Sequence, residues 1–387
     1  MGANDTWAGE DITEHNATEI PAVLSCVQVL AQTGGCIPLF VYRRLVDGGK
    51  EKAPDHPVYY LIHDEPNPEQ TPYEFKEMMI SHVCLWGNFY GQLVMDGKGA
   101  VRQIWPLRPD WMSVERPRPD GPKIYRYRRP DGMRVFLEDE ILHVAGLPSA
   151  VDPLKGLSPI GAQRELLASD KAAQKMAAKL WKNGVKPSGI LQIPPSFSEK
   201  ARKNLEESFN SQYSASQNAH KALMLEDGVK WVQTTIPPED AQFLETRKHT
   251  RSEICGLFRV PPHFIGDLDR ATNNNIENQD LSLAKHTMNP WCTRIQQRMS
   301  KSLFGVRERL TYFCEFDMNA LMRGDAKSRA EFYNMGINGS WLEINDIRAW
   351  ENLNPWPAGY VTARPLNTAW VDRDGNIVMN AQTQRPQ

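Results

Sequence analysis

The sequence lacks an apolar stretch long enough to cross a membrane. Its longest apolar run, residues 20–30, is interrupted by Ser25 and Gln28, whereas a membrane helix needs about 18 consecutive apolar residues. The first residues also lack a basic segment followed by an apolar core, which is the pattern of a secretory signal. The sequence therefore predicts a chain that neither spans a membrane nor carries a secretory signal.

Cysteines are few and are not arranged in pairs. The 387 residues include six cysteines and no C-x-x-C motif, and a chain of this length buries a sizeable core without covalent cross-links. We expect these cysteines to be reduced, buried thiols rather than disulfides. They are Cys26, Cys36, Cys84, Cys255, Cys292 and Cys314.

The sequence also has no excess of basic over acidic residues. Basic and acidic residues number 45 and 47, and the formal net charge is -2. This balance argues against a protein that grips nucleic acid over its whole surface.

No motif of an enzyme active site is present. The sequence has no G-x-x-x-x-G-K-[ST] loop for nucleotide phosphates. The segment GLSPIG at residues 156–161 is too long by one residue for a nucleophile elbow, and Ser158 within it is better explained as a helix cap. The histidines form no H-E-x-x-H motif, and metal ligation by His56 and His63 is not expected. We therefore expect no catalytic residue, no metal and no cofactor.

Two groups of carboxylates leave a metal-dependent nuclease open as an alternative. Glu138, Asp139 and Glu140 are consecutive, and Asp267 and Asp269 stand close together in the chain. No sequence spacing gathers the two groups into one site. Exposed turns explain both of them.

The first 157 residues have the pattern of a mixed α/β domain. Helices are predicted over residues 25–33 and 72–84, and a strand over residues 38–44. Turn signals then recur at short intervals, and residues 123–128 and 133–137 between them are predicted strands of a β-meander. Alternation along the first of these two strands turns Tyr125 and Tyr127 inward, which favours a half-buried strand over a single-strand nucleic-acid binder.

A long helix is predicted to begin at Ser158 and Pro159, which suit the N-cap and the first turn. It continues to Lys182 and stops at Asn183 and Gly184. One face carries a basic stripe, which we define as Arg164, Lys171, Lys175, Lys179 and Lys182. The opposite side carries Leu166, Ala173, Ala177, Leu180 and Trp181. On sequence alone the stripe is a solvated face, whereas in a helix that lines a pore it would meet DNA or a neighbouring subunit.

The segment at residues 237–279 combines a helix, a double proline and a polar loop. Pro261 and Pro262 end the helix, because proline lacks a backbone donor and restricts the residue before it. Arg247 and Arg251 lie within an otherwise apolar arc of the helix. This face is therefore expected to meet a partner rather than to form a dry core.

The polar loop, residues 266–275, leads into a helix predicted over residues 276–303, with a kink near Pro290. As an ordinary connection the loop needs no function, because Asp, Asn and Gly favour turns and Asn275 suits an N-cap.

The remaining segments are an insert and a C-terminal region. Within the insert, a polar helix is predicted over residues 198–212, followed by hairpin strands at 222–225 and 229–235. The C-terminal region is predicted to contain a strand within residues 307–317, helices at 325–335 and 343–351, and a weakly structured tail after residue 354.

Six further segments accompany the helix, double proline and loop of residues 237–279. They are IPAVLSCVQVLAQTGGCIPLFVYRR (20–44), HPVYYLIHDEPNPEQTPYEFKEMM (56–79), GNFY (87–90), WPLRPD (105–110), DPLKGLSPIGA (152–162) and LEINDIR (342–348). In content and in order, this set resembles the portal proteins of tailed bacteriophages of the HK97 type.

The resemblance implies an α+β portal fold that assembles into a ring. The parts would be a mixed α/β wing (1–157), a first stem helix (158–186), a clip insert (187–236), a second stem helix (237–262), a tunnel loop with a kinked tunnel helix (263–303), a return to the wing (304–324), and a helical crown with the C-terminal tail (325–387).

The resemblance also implies roles for particular residues. The tunnel loop would project into a central channel and touch DNA without reading its bases, and the basic stripe would face DNA or the neighbouring subunit. The DNA-facing loop residues would be Asp269, Arg270, Thr272, Asn273, Asn274 and Asn275. At the subunit interface, Arg247 and Arg251 would meet Glu245 and Glu253 of a neighbouring copy.

A portal subunit would be structural rather than catalytic. It would form a homo-oligomeric ring, a dodecamer, at a unique capsid vertex, through which a separate motor packages double-stranded DNA without sequence specificity and from which the genome is later ejected. The implied partners are the terminase large subunit, the head-tail connector, and the major capsid and scaffold proteins, with no membrane. The implied location is the virion, preceded by the host cytoplasm. A metal-dependent nuclease and a monomeric structural adaptor remain as alternatives.

Overall fold

The computed structural model of the chain combines helices with small antiparallel sheets, which confirms the predicted mixed α+β fold class. The structure describes residues 6–46, 48–182, 189–192, 230–233, 239–267, 279–318, 326–339, 341–351, 353–357, 369–371 and 377–380. The chain forms two compact units, Met1–Asp317 and Met318–Gln387.

The helices and strands of the described residues are numbered in chain order. The helices of the first unit are α1 (Pro21–Cys36), α2 (Pro57–His63), α3 (Pro72–Trp86), α4 (Pro159–Ala162), α5 (Arg164–Lys182), α6 (Glu239–Phe258) and α7 (Asn289–Leu303). Its strands are β1 (Leu39–Arg44), β2 (Lys50–Lys52), β3 (Asn88–Met95), β4 (Val101–Leu107), β5 (Met112–Glu115), β6 (Ile124–Arg129), β7 (Gly132–Phe136), β8 (Ile141–Ala145), β9 (Gly189–Gln192), β10 (Lys230–Gln233) and β11 (Tyr312–Phe316). The second unit has α8 (Ala326–Asn338), α9 (Ile344–Trp350), β12 (Ala369–Val371) and β13 (Ile377–Asn380).

Helix α3 shows how local sequence sets the ends of a helix. Thr71 and Glu74 form a capping box, in which the Thr71 N–H donates to Glu74 Oε2 over 2.8 Å and the Glu74 N–H donates to Thr71 Oγ1 over 3.3 Å. Pro72 occupies the first turn, where a missing N–H costs little. Gly87 ends the helix in the left-handed conformation, with φ 71°. Helix α3 packs against α1, which starts before its predicted first residue, at Pro21.

The sheets of the first unit have the strand orders β11-β1-β2, β4-β3-β8, β5-β6-β7 and β9-β10, and all of their pairs are antiparallel. The sheet β5-β6-β7 is the predicted meander, and Tyr125 and Tyr127 on β6 are buried, as their alternation predicts. The strand predicted within residues 307–317 is present as β11, after a 3-10 turn at Glu308–Leu310. By pairing with β1, it connects the end of the first unit to its beginning.

The sequence predicts one continuous helix from Ser158 to Lys182 in the first stem, and this prediction is wrong, because the structure has two helices there, α4 and α5. Ser158 caps α4 as expected, because its Oγ accepts the Gly161 N–H over 2.9 Å. The backbone then leaves the helical region at Gln163, with φ -120° and ψ 32°, before α5 starts. Gly161 favours a break here, because glycine is a poor helix former.

The structure also changes two other predictions of secondary structure. Strand β10 lies within the predicted strand 229–235 and pairs with β9, which the sequence had not identified as a strand. The predicted helix 198–212 and strand 222–225 lie outside the described residues. In the second unit, β12 and β13 pair within the tail that the sequence predicts to be weakly structured. The Asp374-Gly375 dipeptide between these strands is a hairpin signal that the sequence prediction overlooked.

The start of the stem is fixed to the β-sheet by a tight backbone contact, which we call the glycine junction and define as Gly87, Asn88, Gly146 and Gly156. Asn88 Oδ1 accepts the Gly156 N–H over 2.7 Å, and Asn88 Nδ2 donates to the Gly156 carbonyl over 2.9 Å. A Cβ on Gly156 would lie 2.1 Å from the Gly87 carbonyl oxygen and 2.6 Å from the Gly146 nitrogen. Both of these atoms belong to the backbone, so moving them to make room for a side chain would cost conformational free energy.

A buried histidine extends the junction into the core. His143 is 2 % exposed, and its Nε2 lies 3.0 Å from Asn88 Oδ1, while its Nδ1 lies 3.3 Å from the Tyr125 hydroxyl. Burial lowers the pKa of His143 to about 3, and nearby Lys and Arg side chains act in the same direction. His143 is therefore neutral in the folded chain at neutral pH.

We predict that Gly156→Ala destabilises the chain by about 2 kcal/mol or more, because the added methyl group would overlap backbone atoms in a packed site. Gly97→Ala is the matched control, because no atom lies within 4 Å of a Cβ built at Gly97. Urea unfolding followed by circular dichroism measures both variants. If the two variants have the same unfolding free energy, Gly156 does not make this close backbone contact.

We also predict a specific pH dependence for His143. The folded pKa, about 3, is lower than the ordinary value of 6.5, so the unfolded chain takes up the proton first. The contribution of this group to stability is fully present above pH 6.5 and is lost as the pH falls towards 3, at about 1.4 kcal/mol per pH unit. Between pH 6 and 4, the unfolding free energy of His143→Gln should fall less steeply than that of the parent chain by about this slope. Equal slopes would show that His143 is not buried in its neutral form.

Candidate functional site

The basic stripe on α5 is paired with acidic residues near the N-terminus. Lys171 Nζ lies 2.8 Å from Glu19 Oε2, and Lys175 Nζ lies 2.5 Å from Glu10 Oε2. The hydrogen bond and the charge of Lys171 lower the pKa of Glu19. The stripe is therefore partly neutralised inside a single chain. Among the described side chains of the stripe, Lys175 and Lys179 are exposed.

Glu14 joins the stripe to the start of the stem. Its Oε1 lies 3.7 Å from Arg164 Nη2 and 3.1 Å from Ser158 Oγ. The Ser158 hydroxyl also lies 2.8 Å from the Leu85 carbonyl of α3. Ser158 thus caps the helix, as predicted, and also ties it to α3.

The sequence analysis missed the pairing of the stripe with Glu10, Glu14 and Glu19, because ion pairs between distant residues leave no periodic signal. One compositional signal was available. Acidic residues recur through the first 19 positions, and this stretch contains no Lys or Arg. The side chain of Lys182 lies outside the described residues.

Helix α6, the predicted second stem helix, buries one side of its last turns. Ile254, Cys255 and Phe258 are at most 5 % exposed, and α6 packs against α1. The Cys255 thiol is hydrogen-bonded to Cys26 of α1, and this bond together with burial raises the pKa of Cys26. The expectation of free, buried thiols is confirmed for five of the cysteines, whereas Cys36 is exposed.

The predicted interface residues lie on α6 before its buried turns. Glu245, Arg251 and Glu253 are exposed, and Arg247 is half-buried. Glu253 Oε2 lies 3.4 Å from His249 Nδ1 on the next turn. The Arg247 Nε atom is buried and has no hydrogen-bond partner in the described chain. An unpaired buried donor is costly, which makes this atom a marker of a missing contact.

The end of α6 is closed by the helix that follows the predicted tunnel loop. Arg259 has a positive φ of 55°, and the Val260 N–H donates to the Cys255 carbonyl over 3.0 Å. The Arg259 carbonyl accepts the Thr287 hydroxyl over 2.8 Å. This bond satisfies a carbonyl that the helix end leaves free.

A π-helical stretch, Leu283–Met288, lies immediately before α7 and close to Pro290, where the sequence predicts a kink. The Asn289 N–H donates to the Ala284 carbonyl, five residues earlier. Pro290 has no N–H to continue the α-helical pattern, and a wider turn is one way to accommodate that loss.

The two described flanks of the tunnel loop are joined by His263. Its Nδ1 lies 2.7 Å from Gln279 Oε1 and its Nε2 lies 2.9 Å from Asp280 Oδ1. The ends of the loop are therefore held close together. The predicted DNA-facing residues Asp269, Arg270, Thr272, Asn273, Asn274 and Asn275 lie outside the described residues.

The residues that the sequence analysis considered for enzyme chemistry form a turn or cap a helix in the structure. Glu138, Asp139 and Glu140 form an exposed 3-10 turn, and His56 caps α2 by accepting the Val58 N–H over 3.2 Å. Among the described residues, no group of three His, Cys, Asp or Glu side chains is placed to hold a metal ion. None of the described helices combines the length and the apolar character needed to span a membrane.

Comparison with known proteins identifies the family. The family model for phage portal proteins matches residues 21–352, which is most of the chain and includes the glycine junction and the predicted stem and tunnel helices. The chain belongs to the phage portal protein family. The resemblance found in the sequence is confirmed.

Individual relatives agree with this assignment. The probable portal protein of Streptomyces phage phiC31 is 28% identical over 365 residues, which cover 91% of this chain and 78% of the relative. The portal protein of Enterobacteria phage HK97 is 28% identical over 369 residues, covering 94% and 86%. A chain in the neck of a native gene transfer agent particle, computed with C12 symmetry, has a TM-score of 0.63 at 22% identity and covers 89% of this chain and 95% of that chain. At that identity the structural match shows the shared fold.

Proposed function

We propose that this chain forms a closed ring at one vertex of a phage capsid and that double-stranded DNA enters and leaves the capsid through the ring. The observation that carries the proposal is the shared fold over 89% of the chain with a protein of a particle neck computed with C12 symmetry. A twelve-subunit ring needs one surface of each copy to bind a different surface of the next. The ring would lie in the virion after assembly in the host cytoplasm.

The proposed channel is passive. Its sequence contains no phosphate-binding loop of an ATPase, so packaging needs a separate motor, the terminase. The ion pairs of Lys171 and Lys175 with Glu19 and Glu10 reduce the positive charge of the stem. Each phosphate that a free cation neutralises strengthens DNA binding. A stem with fewer free cations would therefore bind DNA more weakly and let it slide. The loop at residues 266–275 is proposed to touch the DNA weakly.

We further propose that the insert at residues 187–236 docks the terminase large subunit and later the head-tail connector. Its polar composition supports an exposed docking surface. Major capsid and scaffold proteins are proposed partners at the vertex.

The subunit contact is proposed to involve α6. Arg247 offers a buried nitrogen without a partner, and Arg251 is exposed beside it. Glu245 and Glu253 of a neighbouring copy would supply the acceptors. Charged contacts of this kind set the register between neighbours more than they add affinity.

We predict that Arg251→Glu weakens ring assembly, because it places like charges together in a contact whose disruption costs about 2–5 kcal/mol. The double variant Arg251→Glu with Glu253→Arg exchanges the two charges and should recover assembly. Native mass spectrometry measures the fraction of chains in rings.

Lys98→Glu is the matched control, because it reverses an exposed charge on the β3–β4 turn. It should assemble like the parent. If Arg251→Glu assembles as well as Lys98→Glu, the proposed interface is wrong, although the ring itself is not.

A further inference from the structure

Positive charge accumulates in the first unit at residues that have no role in the proposed channel. Four separate chain segments contribute to this group, which we call the basic cluster. Its members are Arg116, Lys123, Lys155, Arg298 and Lys301. All of them are at least partly exposed.

Strand pairing places the first two members together. The β5–β6 ladder ends with Glu115 opposite Ile124. Arg116 follows Glu115 and Lys123 precedes Ile124, so these two cations adjoin each other across the end of the ladder.

The other three members are Lys155, in the loop that Lys123 contacts, and Arg298 and Lys301, on helix α7. Lys123 Nζ donates to the Leu154 carbonyl over 3.2 Å, and Lys155 is the next residue of that loop. Arg298 and Lys301 lie three residues apart on α7 and therefore share a face. Helix α7 packs against β8, which carries His143.

The pKa shifts of Lys123 and His143 also indicate that the members of the basic cluster lie close together. Burial lowers the pKa of Lys123, and the charges of Arg298, Arg116 and Lys301 lower it further, against an opposing effect of Glu138. The charges of Lys123, Arg298 and Lys155 also lower the pKa of buried His143, after burial itself.

The acids near the cluster bond to other groups, and Glu138 offsets only part of the positive charge around Lys123. Glu115 pairs with Arg126 over 2.9 Å, and Asp152 Oδ1 accepts the Leu154 N–H over 2.9 Å. Glu138 Oε2 accepts the backbone N–H of Lys123 over 3.4 Å. Within the part of the chain that the structure describes, no ion pair joins a member of the basic cluster to an acidic side chain.

We propose that the basic cluster binds phosphate groups of the double-stranded DNA backbone. Holding like charges together costs free energy, which an anionic ligand offsets. Guanidinium groups bind phosphate through paired hydrogen bonds, and ammonium groups act as point charges. The members are spread over several segments, and each is at least partly exposed, which suits an extended polyanion better than a small enclosed anion. The cluster shares no residue with the proposed channel, so this site does not depend on the channel.

The test compares the parent chain with the triple variant Arg116→Gln, Arg298→Gln and Lys301→Gln. Binding to a fluorescent DNA duplex of about 30 base pairs is measured by anisotropy over a range of salt concentrations. The variant should bind about tenfold more weakly at low salt, and the slope of log affinity against log salt should fall by about 3. The control Lys98→Gln, Arg128→Gln and Arg307→Gln removes the same charge from exposed positions outside the cluster.

A second measurement identifies the source of the phosphate. The melting temperatures of the parent and the triple variant are compared in inorganic phosphate and in chloride at equal ionic strength. A loss of DNA binding without a phosphate-specific shift assigns the site to the DNA backbone. A phosphate-specific shift in the parent alone, with unchanged DNA binding, assigns it to free phosphate and overturns the proposal for DNA. If the triple variant and the control match in both measurements, the cluster is not a phosphate site. Native mass spectrometry of the same samples reports ring formation separately.

Discussion

The glycine junction is the constraint on which the arrangement of the first unit depends. Gly156 approaches the Gly87 carbonyl so closely that no side chain fits, and Asn88 bonds both backbone groups of Gly156. Ser158 follows at once, and its hydroxyl reaches the Leu85 carbonyl while it caps α4. The stem therefore begins at a defined distance from the β3 strand. In the proposed ring, this contact would couple the stem rigidly to the β-sheet, because close-packed protein interiors are stiff.

Charge is distributed unevenly over the chain, despite a formal net charge of -2. On the stem, carboxylates near the N-terminus pair with Lys171 and Lys175. In the basic cluster, five cations stay without an acidic partner among the described residues. A passive channel favours the first arrangement, since weak contacts let DNA move, and a retention site favours the second. Under the two proposals, the molecule would bind DNA at the basic cluster and let it slide along the stem.

Local signals predicted much of this fold, and the longer contacts escaped them. The helix predicted over residues 72–84 is present as α3, and the strands predicted between the meander turns are present as β6 and β7. Both kinds of signal lie within a few residues of the chain. Other contacts join residues that are far apart in the chain. They are the pairing of β9 with β10, the ion pairs of Glu10 and Glu19, and the contacts within the basic cluster. Periodicity reports on one element at a time, so it cannot reveal such contacts. Of the candidate site, the sequence identified the stripe but not its carboxylate partners.

The mass of the purified chain in solution, measured together with its outline in negative stain, tests the central claim most directly. The account predicts a closed ring with a central hole and a mass that is a whole multiple of 44.0 kDa, near twelve copies if the symmetry of the related neck applies. It also predicts that the ring persists after dilution, because every subunit in a closed ring is held by two neighbours. A particle of 44.0 kDa at every concentration, with no ring in stain, would contradict the account.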